Sequence, residues 1–360
     1  MVEDDGPRAL LVGILADPGL PEATARSIAG GLAGELRRLV DPDCRWDVEA
    51  VQGALPLTEE GYIPLLEQAA KLRTENRWDY VVYLTDLPRS HNGKVMVSES
   101  SLEGQAVLVS MPALGAWRVA AATQELLLAA LGSLHAGTRH SPPPGKTPLR
   151  APKVQHQQEP GNVSYVVLSG GLGRFRLLAG MVRNNRPGRL LSALSTCMAT
   201  AAATGAFGIF YTTMWNMADV LPLWRLALIS LVAVGALGAW LIVHNGLWSR
   251  SQGPEASARA SLDNSATVVT VVLSVGLMYV VLFLVLLLGS LAVIDAGYLE
   301  AEVGHPVDLL LYARLSWLAA SLGTVAGALG SNFDSDEAIR EATYSRRDRQ
   351  RRRLSDSMDD

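Results

Sequence analysis

The chain has 360 residues, 49% of them hydrophobic, and a formal net charge of −4. This length allows about two domains, and two cysteines are too few for a disulfide-rich secreted fold. The slightly acidic balance, without a basic face carrying interleaved aromatic residues, argues against nucleic acid as a partner.

The first third of the chain alternates between strand and helix patterns. Short apolar runs predict strands, and apolar residues at helical spacing predict helices. In chain order these elements cover residues 9–16, 21–40, 46–51, 59–77, 79–84, 94–97, 105–111 and 120–134. The order βαβαβ–ββ–α predicts a three-layer α/β domain over residues 1–136, with a parallel portion in its sheet.

Polar residues follow two of the predicted strands. Asp17 comes directly after the first strand, and Thr85, Asp86 and Arg89 come after the buried strand DYVVYL. Ligands of α/β sheets bind at the carboxyl ends of parallel strands, so these four residues form a candidate ligand-binding site. The sequences Asp-Pro-Gly and Thr-Asp-Leu-Pro are also ordinary turn chemistry, which is the alternative interpretation.

Three segments of this domain, DYVVYLTDLP, QAVLVSMPALG and AATQELLLAALGSLH, resemble an archaemetzincin-like zincin. In zincins the last of these segments is a helix with two zinc-binding histidines one turn apart. Here Gln124 and Leu128 occupy those positions, and Glu125 matches the glutamate between them. The resemblance therefore implies a degenerate domain without zincin peptidase activity, and His135 matches a ligand only with a shifted register.

A Pro/Gln-rich stretch over residues 137–162 predicts an extended linker. Residues 163–189 then form a basic segment in which arginines alternate with apolar side chains. Such a segment beside a membrane span is expected to bind anionic lipid headgroups of the inner leaflet. The arginines concerned are Arg174, Arg176, Arg183, Arg186 and Arg189.

Between residues 265 and 294 the chain carries no charged residue. At about 1.5 Å per residue, a helix of this length exceeds the roughly 30 Å hydrocarbon core of a bilayer. Three further apolar stretches have the length that spanning requires. The predicted spans are 190–211, 223–243, 266–294 and 307–329, so residues 190–330 should form an all-α four-helix transmembrane bundle.

Arginine placement predicts the orientation of these spans. Arginines precede the first span, lie between the second and third, and follow the fourth, whereas the connections 212–222 and 295–306 contain neither Lys nor Arg. By the positive-inside rule, both termini should face the cytoplasm of a multi-pass protein in the plasma (inner) membrane.

Individual residues of the bundle and tail give further hypotheses. Arg314 lies inside the last span, where it could anchor the helix at the outer rim or line a permeation path; Arg225 is shallower and is expected at the interface. Gly323 and Gly327 form a GxxxG pattern, which favours packing within the bundle, with a homo-oligomer seam as the alternative. In the polybasic tail, residues 331–360, Ser355 follows RRRL and is a candidate phosphorylation site.

The stretches GRFRLLAGMVRNNRPGRL and ARLSWLAASLGTVAGALGSNFDSDEAIREATYSRRDR resemble an uncharacterised actinobacterial family of four-span integral membrane proteins. The sequence itself predicts a non-enzymatic, membrane-tethered binding or regulatory module. There are two alternatives. One is a membrane-bound enzyme with its pocket on the α/β domain, and the other is a channel or transporter subunit that uses Arg314. The sequence predicts no catalytic residue, no cofactor and no metal site.

Overall fold

The computed structural model describes residues 9–58, 62–139, 154–159, 162–185, 188–249 and 254–343. The chain divides into two compact units, an α/β domain that reaches Asn184 and a helical unit that begins at Asn185. The elements of the α/β domain are β1 Ala9–Ala16, α1 Leu20–Leu39, β2 Arg45–Gln52, α2 Leu65–Asn76, β3 Tyr80–Thr85, β4 Ser90–His91, β5 Lys94–Ser101, β6 Ala106–Ser110, a 3-10 turn Met111–Leu114, α3 Val119–Arg139, β7 Val154–Glu159, β8 Val163–Leu168 and α4 Gly171–Asn185.

One mixed sheet organises the α/β domain, with the strand order β2-β1-β3-β6-β5-β8-β7 and β4 paired to β5. Strands β2, β1, β3 and β6 are parallel to one another. Strand β5 runs antiparallel to both β6 and β8, and β7 runs antiparallel to β8. The parallel portion therefore comes from the strand–helix repeats, as predicted, and the hairpin strands continue the same sheet.

Helices cover both faces of the sheet because successive residues of a strand point to opposite sides. Val81 and Tyr83 of β3 belong to a buried apolar cluster with Leu65 of α2. On the other side, the hydroxyl of Tyr80 lies 2.9 Å from Nδ1 of His135 on α3, and α1 packs against α3.

The structure differs from the predicted division of the chain between residues 137 and 189. Helix α3 continues to Arg139, part of the predicted linker is strand β7, and the predicted juxtamembrane segment begins with strand β8. The sequence of β7, VQHQQE, is mostly polar, so no apolar pattern marks it. It forms the last strand of the sheet order, where backbone hydrogen bonds to β8 hold it without a need for apolar side chains.

Helix α4 belongs to the α/β domain. Leu177, Gly180 and Met181 are buried, and Gly180 lies so close to the 3-10 turn that an added Cβ would be 2.0 Å from the carbonyl oxygen of Pro112. The Nε atom of Arg176 donates a hydrogen bond to the carbonyl of Leu114, 3.1 Å away. The basic segment is thus packed on the domain along one side.

The helical unit contains eight α-helices in its described part. They are α5 Gly188–Ala193, α6 Ser195–Ile209, α7 Thr212–Val220, α8 Leu223–His244, α9 Pro254–Val293, α10 Ala296–Val303, α11 Leu309–Gly330 and α12 Asp336–Thr343. Helices α8 and α11 match two of the predicted spans to within two residues. Helix α9 covers the third, 266–294, except for its last residue, but begins twelve residues earlier, at Pro254. The predicted α/β domain followed by a helical part is therefore confirmed.

Four helices in the described part of the chain are long and apolar enough to cross a membrane, namely Val119–Gly137, Leu223–His244, Ala260–Val293 and Leu309–Phe333. The first of them is most of α3, which packs inside the α/β domain. The other three lie in the helical unit. A chain with such helices has the make-up of a membrane protein.

The predicted first span, 190–211, is two helices in the structure, with a break at Leu194. The carboxylate of Asp334 accepts hydrogen bonds from the backbone N–H groups of Thr196 and Cys197, at 2.9 and 3.0 Å. The first N–H groups of a helix have no partner within the helix, so a carboxylate there stabilises a new helix start. Asp334 is far away in sequence, which is why the apolar pattern did not predict the break.

Close contact between α6 and α11 depends on small residues. A Cβ on Gly323 would lie 2.4 Å from the carbonyl oxygen of Ala201, and one on Gly327 would lie 3.1 Å from that of Cys197. Helices in lipid approach each other most closely through such residues. The GxxxG pattern therefore packs within the chain, and self-association through it stays a prediction.

Candidate functional sites

Asp17 lies at the carboxyl end of β1 and is fully buried. Both oxygens of its carboxylate accept hydrogen bonds, one from the hydroxyl of Tyr83 and one from the hydroxyl of Thr85, each 2.6 Å long. The backbone N–H of Asp17 also donates to the carbonyl of Leu84. The structure thus brings Asp17 and Thr85 together at the predicted edge of the sheet.

This network joins the loops that follow the parallel strands. The hydroxyl of Tyr83 accepts from the N–H of Leu55, and the hydroxyl of Thr85 accepts from the N–H of Leu87. The hydroxyl of Ser110 donates to the carbonyl of Leu87. Because a buried carboxylate is stable only when its oxygens are well satisfied, the network gives Asp17 a structural role in fixing these loops.

Asp86 and Arg89 lie farther along the same connection. Asp86 is 7% exposed, and its backbone carbonyl accepts a 3.4 Å hydrogen bond from Nδ2 of Asn184 in α4. The guanidinium of Arg89 pairs with Glu99 at 3.5 Å and lies 5.9 Å from the ring centre of Tyr62. Arg89 therefore interacts with β5 and the loop before α2, whereas Thr85 interacts with Asp17.

A second polar cluster lies at the opposite edge, where the parallel strands begin. Oδ2 of Asp41 is 2.9 Å from Nε2 of His135 and 3.4 Å from Sγ of Cys44. Nδ1 of the same histidine is 2.9 Å from the hydroxyl of Tyr80. Asp41, Cys44 and His135 are all buried, and one donor atom from each lies within 4.8 Å of the others. Carboxylate, thiolate and imidazole are the usual zinc ligands.

Sequence reasoning missed Asp41 and Cys44. The two residues share the short connection between α1 and β2, but His135 is 94 residues from Asp41. Local spacing therefore gives no metal-binding pattern. The one available signal was that the starts of parallel strands and the end of a covering helix meet at the same edge of a sheet.

The residues named in the zincin comparison are dispersed. Gln124 lies beside Gly31 of α1, Glu125 is exposed and Leu128 is half-buried. His135 follows Gln124 by eleven residues on α3, which corresponds to about 16 Å along a helix. The cluster around His135 is therefore separate from the helix positions that the resemblance concerns.

The exposed side of α4 carries apolar and basic side chains. Leu172 and Phe175 are 67% and 68% exposed, and Arg174, which comes between them in the sequence, is also exposed. Trp117 is 83% exposed. It comes two residues after Gly115, which lies against the side chain of Arg176 in α4. We call Trp117, Leu172, Arg174 and Phe175 the α4 patch.

The predicted headgroup arginines differ in their surroundings. Arg174 is exposed, Arg183 is half-buried, and Arg176 bonds to the carbonyl of Leu114. Burial lowers the pKa of Arg176 from its ordinary value. Arg186, the side chain of Arg189 and the tail residue Ser355 lie outside the described residues.

Asp219, in the last turn of α7, is contacted by two side chains, those of Arg314 and His305. Nη1 of Arg314 donates a 3.1 Å hydrogen bond to its backbone carbonyl. Nε2 of His305 is 3.0 Å from its carboxylate, and Nδ1 of His305 is 3.0 Å from the carbonyl of Pro306. The hydrogen bond with Asp219, followed by the one with Pro306, raises the pKa of His305. Arg314 is therefore tied to the end of α7.

Arg225 lies in the first turn of α8 and is exposed, with its guanidinium 5.6 Å from the ring centre of Trp224. A Trp–Arg pair at the end of an apolar helix is typical of the membrane interface. The interface role of Arg225 stays a prediction.

Hydroxyl groups connect three of the long helices. Oγ of Ser230 on α8 accepts a 2.5 Å hydrogen bond from Nε1 of Trp317 and is 2.9 Å from the hydroxyl of Tyr279 on α9. Ser321 of α11 is 2.9 Å from the same tyrosine hydroxyl. Such groups hold helices together in lipid because their polar atoms satisfy one another.

No family model, no curated protein and no solved structure matches this chain.

Proposed function

We propose that the protein is a multi-pass protein of the plasma (inner) membrane with both termini in the cytoplasm. Its α/β domain then works there as a non-enzymatic binding or regulatory module. The arginine asymmetry of the connections supports the orientation. The predicted domain of 1–136 extends, in this proposal, to the end of α4.

The α4 patch is the observation that carries the proposal. It combines three exposed apolar side chains with an arginine, and α4 ends at Asn185, where the helical unit begins. An aromatic and basic surface that lies only a few residues along the chain from membrane-spanning helices is suited to the headgroup region of an anionic leaflet. The α/β domain would be held at the lipid surface through this patch.

The other two functions are less well supported. An enzyme pocket at Asp17, Thr85 and Asp86 requires groups that reach a substrate, but Asp17 and Thr85 are 0% exposed and bonded to each other. A permeation role for Arg314 requires a guanidinium directed into a path, but Nη1 bonds to the end of α7. Both arrangements favour structural roles.

Labelling of introduced cysteines tests the orientation. Cys44 and Cys197 are 2% and 0% exposed, so the wild-type background should be low. A membrane-impermeant maleimide should label Glu302→Cys in intact cells, since Glu302 is exposed near the end of α10. Glu75→Cys, exposed on α2, should be labelled only after permeabilisation. Labelling of Glu75→Cys in intact cells would overturn the orientation.

Lipid nanodiscs test the α4 patch in the full chain. An environment-sensitive fluorophore on Phe175→Cys should shift to the blue in anionic nanodiscs relative to zwitterionic ones. The same fluorophore on Glu75→Cys is the matched control and should report no difference. Identical spectra of the Phe175→Cys label in both lipids would contradict membrane docking by this patch.

A further inference from the structure

The cluster at the start of the parallel strands has the composition of a transition-metal site. Asp41 and Cys44 come from the connection between α1 and β2, and His135 comes from the last turns of α3. Each residue offers one donor atom to the same small volume. These three residue types together select zinc and related cations over magnesium or calcium, because thiolate and imidazole are softer ligands than oxygen.

The distances are close to those of a coordination shell. Zinc bonds of about 2.0–2.3 Å in a tetrahedral arrangement place neighbouring ligand atoms roughly 3.3–3.6 Å apart. The Sγ–Oδ2 distance of Cys44 and Asp41 is 3.4 Å, and the Nε2–Oδ2 distance of His135 and Asp41 is 2.9 Å. A movement of the imidazole away from Asp41 by a few tenths of an ångström would bring the Nε2–Oδ2 distance into that range, and all three donor atoms lie within 4.8 Å of one another.

Surrounding groups orient the ligands. Oδ1 of Asp41 accepts a 3.0 Å hydrogen bond from the N–H of Asp43, which leaves Oδ2 directed at His135 and Cys44. The hydroxyl of Tyr80 lies 2.9 Å from Nδ1 of His135 and fixes the ring with Nε2 toward the cluster. Metal-binding histidines almost always have such an outer partner on the second nitrogen.

Aromatic rings enclose the cluster. Trp46 stacks on Tyr80 with ring centres 5.8 Å apart and meets His135 edge-on at 5.2 Å. Its Nε1 donates to the carbonyl of Asp41 at 3.3 Å. Because all three ligand residues are at most 7% exposed, an ion there would be largely shielded from bulk solvent, and a water molecule would take the fourth position of a tetrahedral shell.

We propose that Asp41, Cys44 and His135 bind one zinc-type divalent cation, which fastens the α1–β2 connection to the end of α3. Binding releases the thiol proton of Cys44 to solvent. His135 stays neutral but changes tautomer: Nε2 gives up its proton and directs its lone pair at the ion, while Nδ1 takes up a proton and donates it to the hydroxyl of Tyr80. The site lies at the edge opposite Asp17, so it is independent of the proposed binding function.

The alternative is a metal-free network of the same residues. In that network Tyr80 donates to Nδ1, while the imidazole Nε2–H and the thiol of Cys44 both donate to Asp41. The two states differ in the charge on sulfur, since only the metal-bound state contains a thiolate. A spectroscopic signal from thiolate–metal bonding therefore separates them.

The test uses the full chain, purified in detergent through a tag without histidines. Elemental analysis should find about one zinc ion per chain. After removal of that ion by a chelator, added Co²⁺ should produce a near-ultraviolet thiolate-to-cobalt charge-transfer band. Cys44→Ser should abolish the band, and Asp41→Asn and His135→Gln should lower the zinc content.

Two further variants serve as controls. Cys197→Ser removes the other thiol, which lies in the helical unit, and should retain both the zinc and the band. Tyr80→Phe keeps the ring beside Trp46 but loses the hydroxyl, so zinc affinity should fall by roughly 10- to 100-fold.

Two results would overturn the proposal. One is folded wild-type protein that lacks zinc and gives no charge-transfer band with Co²⁺. The other is zinc that persists at wild-type level in Cys44→Ser and His135→Gln. If Cys44→Ser does not fold, the cobalt spectrum of the wild-type protein decides, because it reports sulfur ligation without any substitution.

Discussion

In the α/β domain, two buried polar clusters lie at the two ends of the parallel strands, whereas in the helical unit a cluster of hydroxyl groups lies between neighbouring helices. The network of Asp17 contains a carboxylate whose two oxygens are both used. The network of Ser230, Tyr279 and Ser321 consists of uncharged hydroxyl groups. Breaking the two networks should therefore cost different amounts of stability. Hydrogen bonds to a buried carboxylate are worth more than hydrogen bonds between neutral groups of neighbouring helices in lipid.

Asp17→Ala should cause the largest loss of stability. It removes the acceptor of two buried hydroxyl hydrogens, each worth about 1–3 kcal/mol, so unfolding free energy should fall by about 2–6 kcal/mol. Thermal unfolding of the full chain in detergent measures this change. Asp17→Asn keeps one carbonyl oxygen and should lose less. Wild-type stability in Asp17→Ala would contradict the structural role and would favour the pocket hypothesis.

Gly323→Ala tests packing in the helical unit. The new methyl group would lie 2.4 Å from the carbonyl of Ala201, so α6 and α11 must separate, at a cost of about 1–3 kcal/mol. Gly289→Ala on α9 is the matched control, because open space surrounds that position. The melting temperature should fall for Gly323→Ala and stay unchanged or rise for Gly289→Ala. Equal behaviour of the two variants would show that close contact between α6 and α11 is unimportant.

Ser230→Ala should destabilise the helical unit less. Hydrogen bonds between helices in lipid contribute about 0.6 kcal/mol each, and this variant removes the acceptor of Trp317. Ser265→Ala, exposed on α9 and bonded within its own helix, is the control. If Ser230→Ala lowered stability as much as Asp17→Ala, the two networks would not differ in their contribution to stability.

The smallest effect should be the pH dependence of the contact between His305 and Asp219. The pKa of His305 is raised in the folded protein, mainly by its hydrogen bond with Asp219. The contact therefore contributes fully below the unfolded pKa of about 6.5, and the contribution disappears as pH rises through the raised folded value. The melting difference between wild type and His305→Gln should shrink as pH increases. A difference that grows with pH would contradict this sign.

Much of the fold could be predicted from the sequence because its signals are local. The long apolar runs predict α8, α9 and α11, and the first apolar run predicts β1. The meeting of Asp17 and Thr85 was also predictable, since the carboxyl ends of adjacent parallel strands lie side by side.

The features that could not be predicted depend on distant partners. The break before α6 needs Asp334, and the cluster of Asp41 needs His135, 94 residues away. Strand β7 has a polar sequence and exists through its backbone pairing with β8. Local spacing carries no information about any of these contacts.

The carboxylate that holds the start of α6 also sets an order of assembly. Asp334 is 138 residues downstream of Thr196, so at about 5–20 residues per second a ribosome adds it roughly 7–28 seconds later. During that interval the exposed amides of α6 must be hydrated or bound by another acceptor. Helix α6 therefore reaches its final state only after Asp334 has been synthesised.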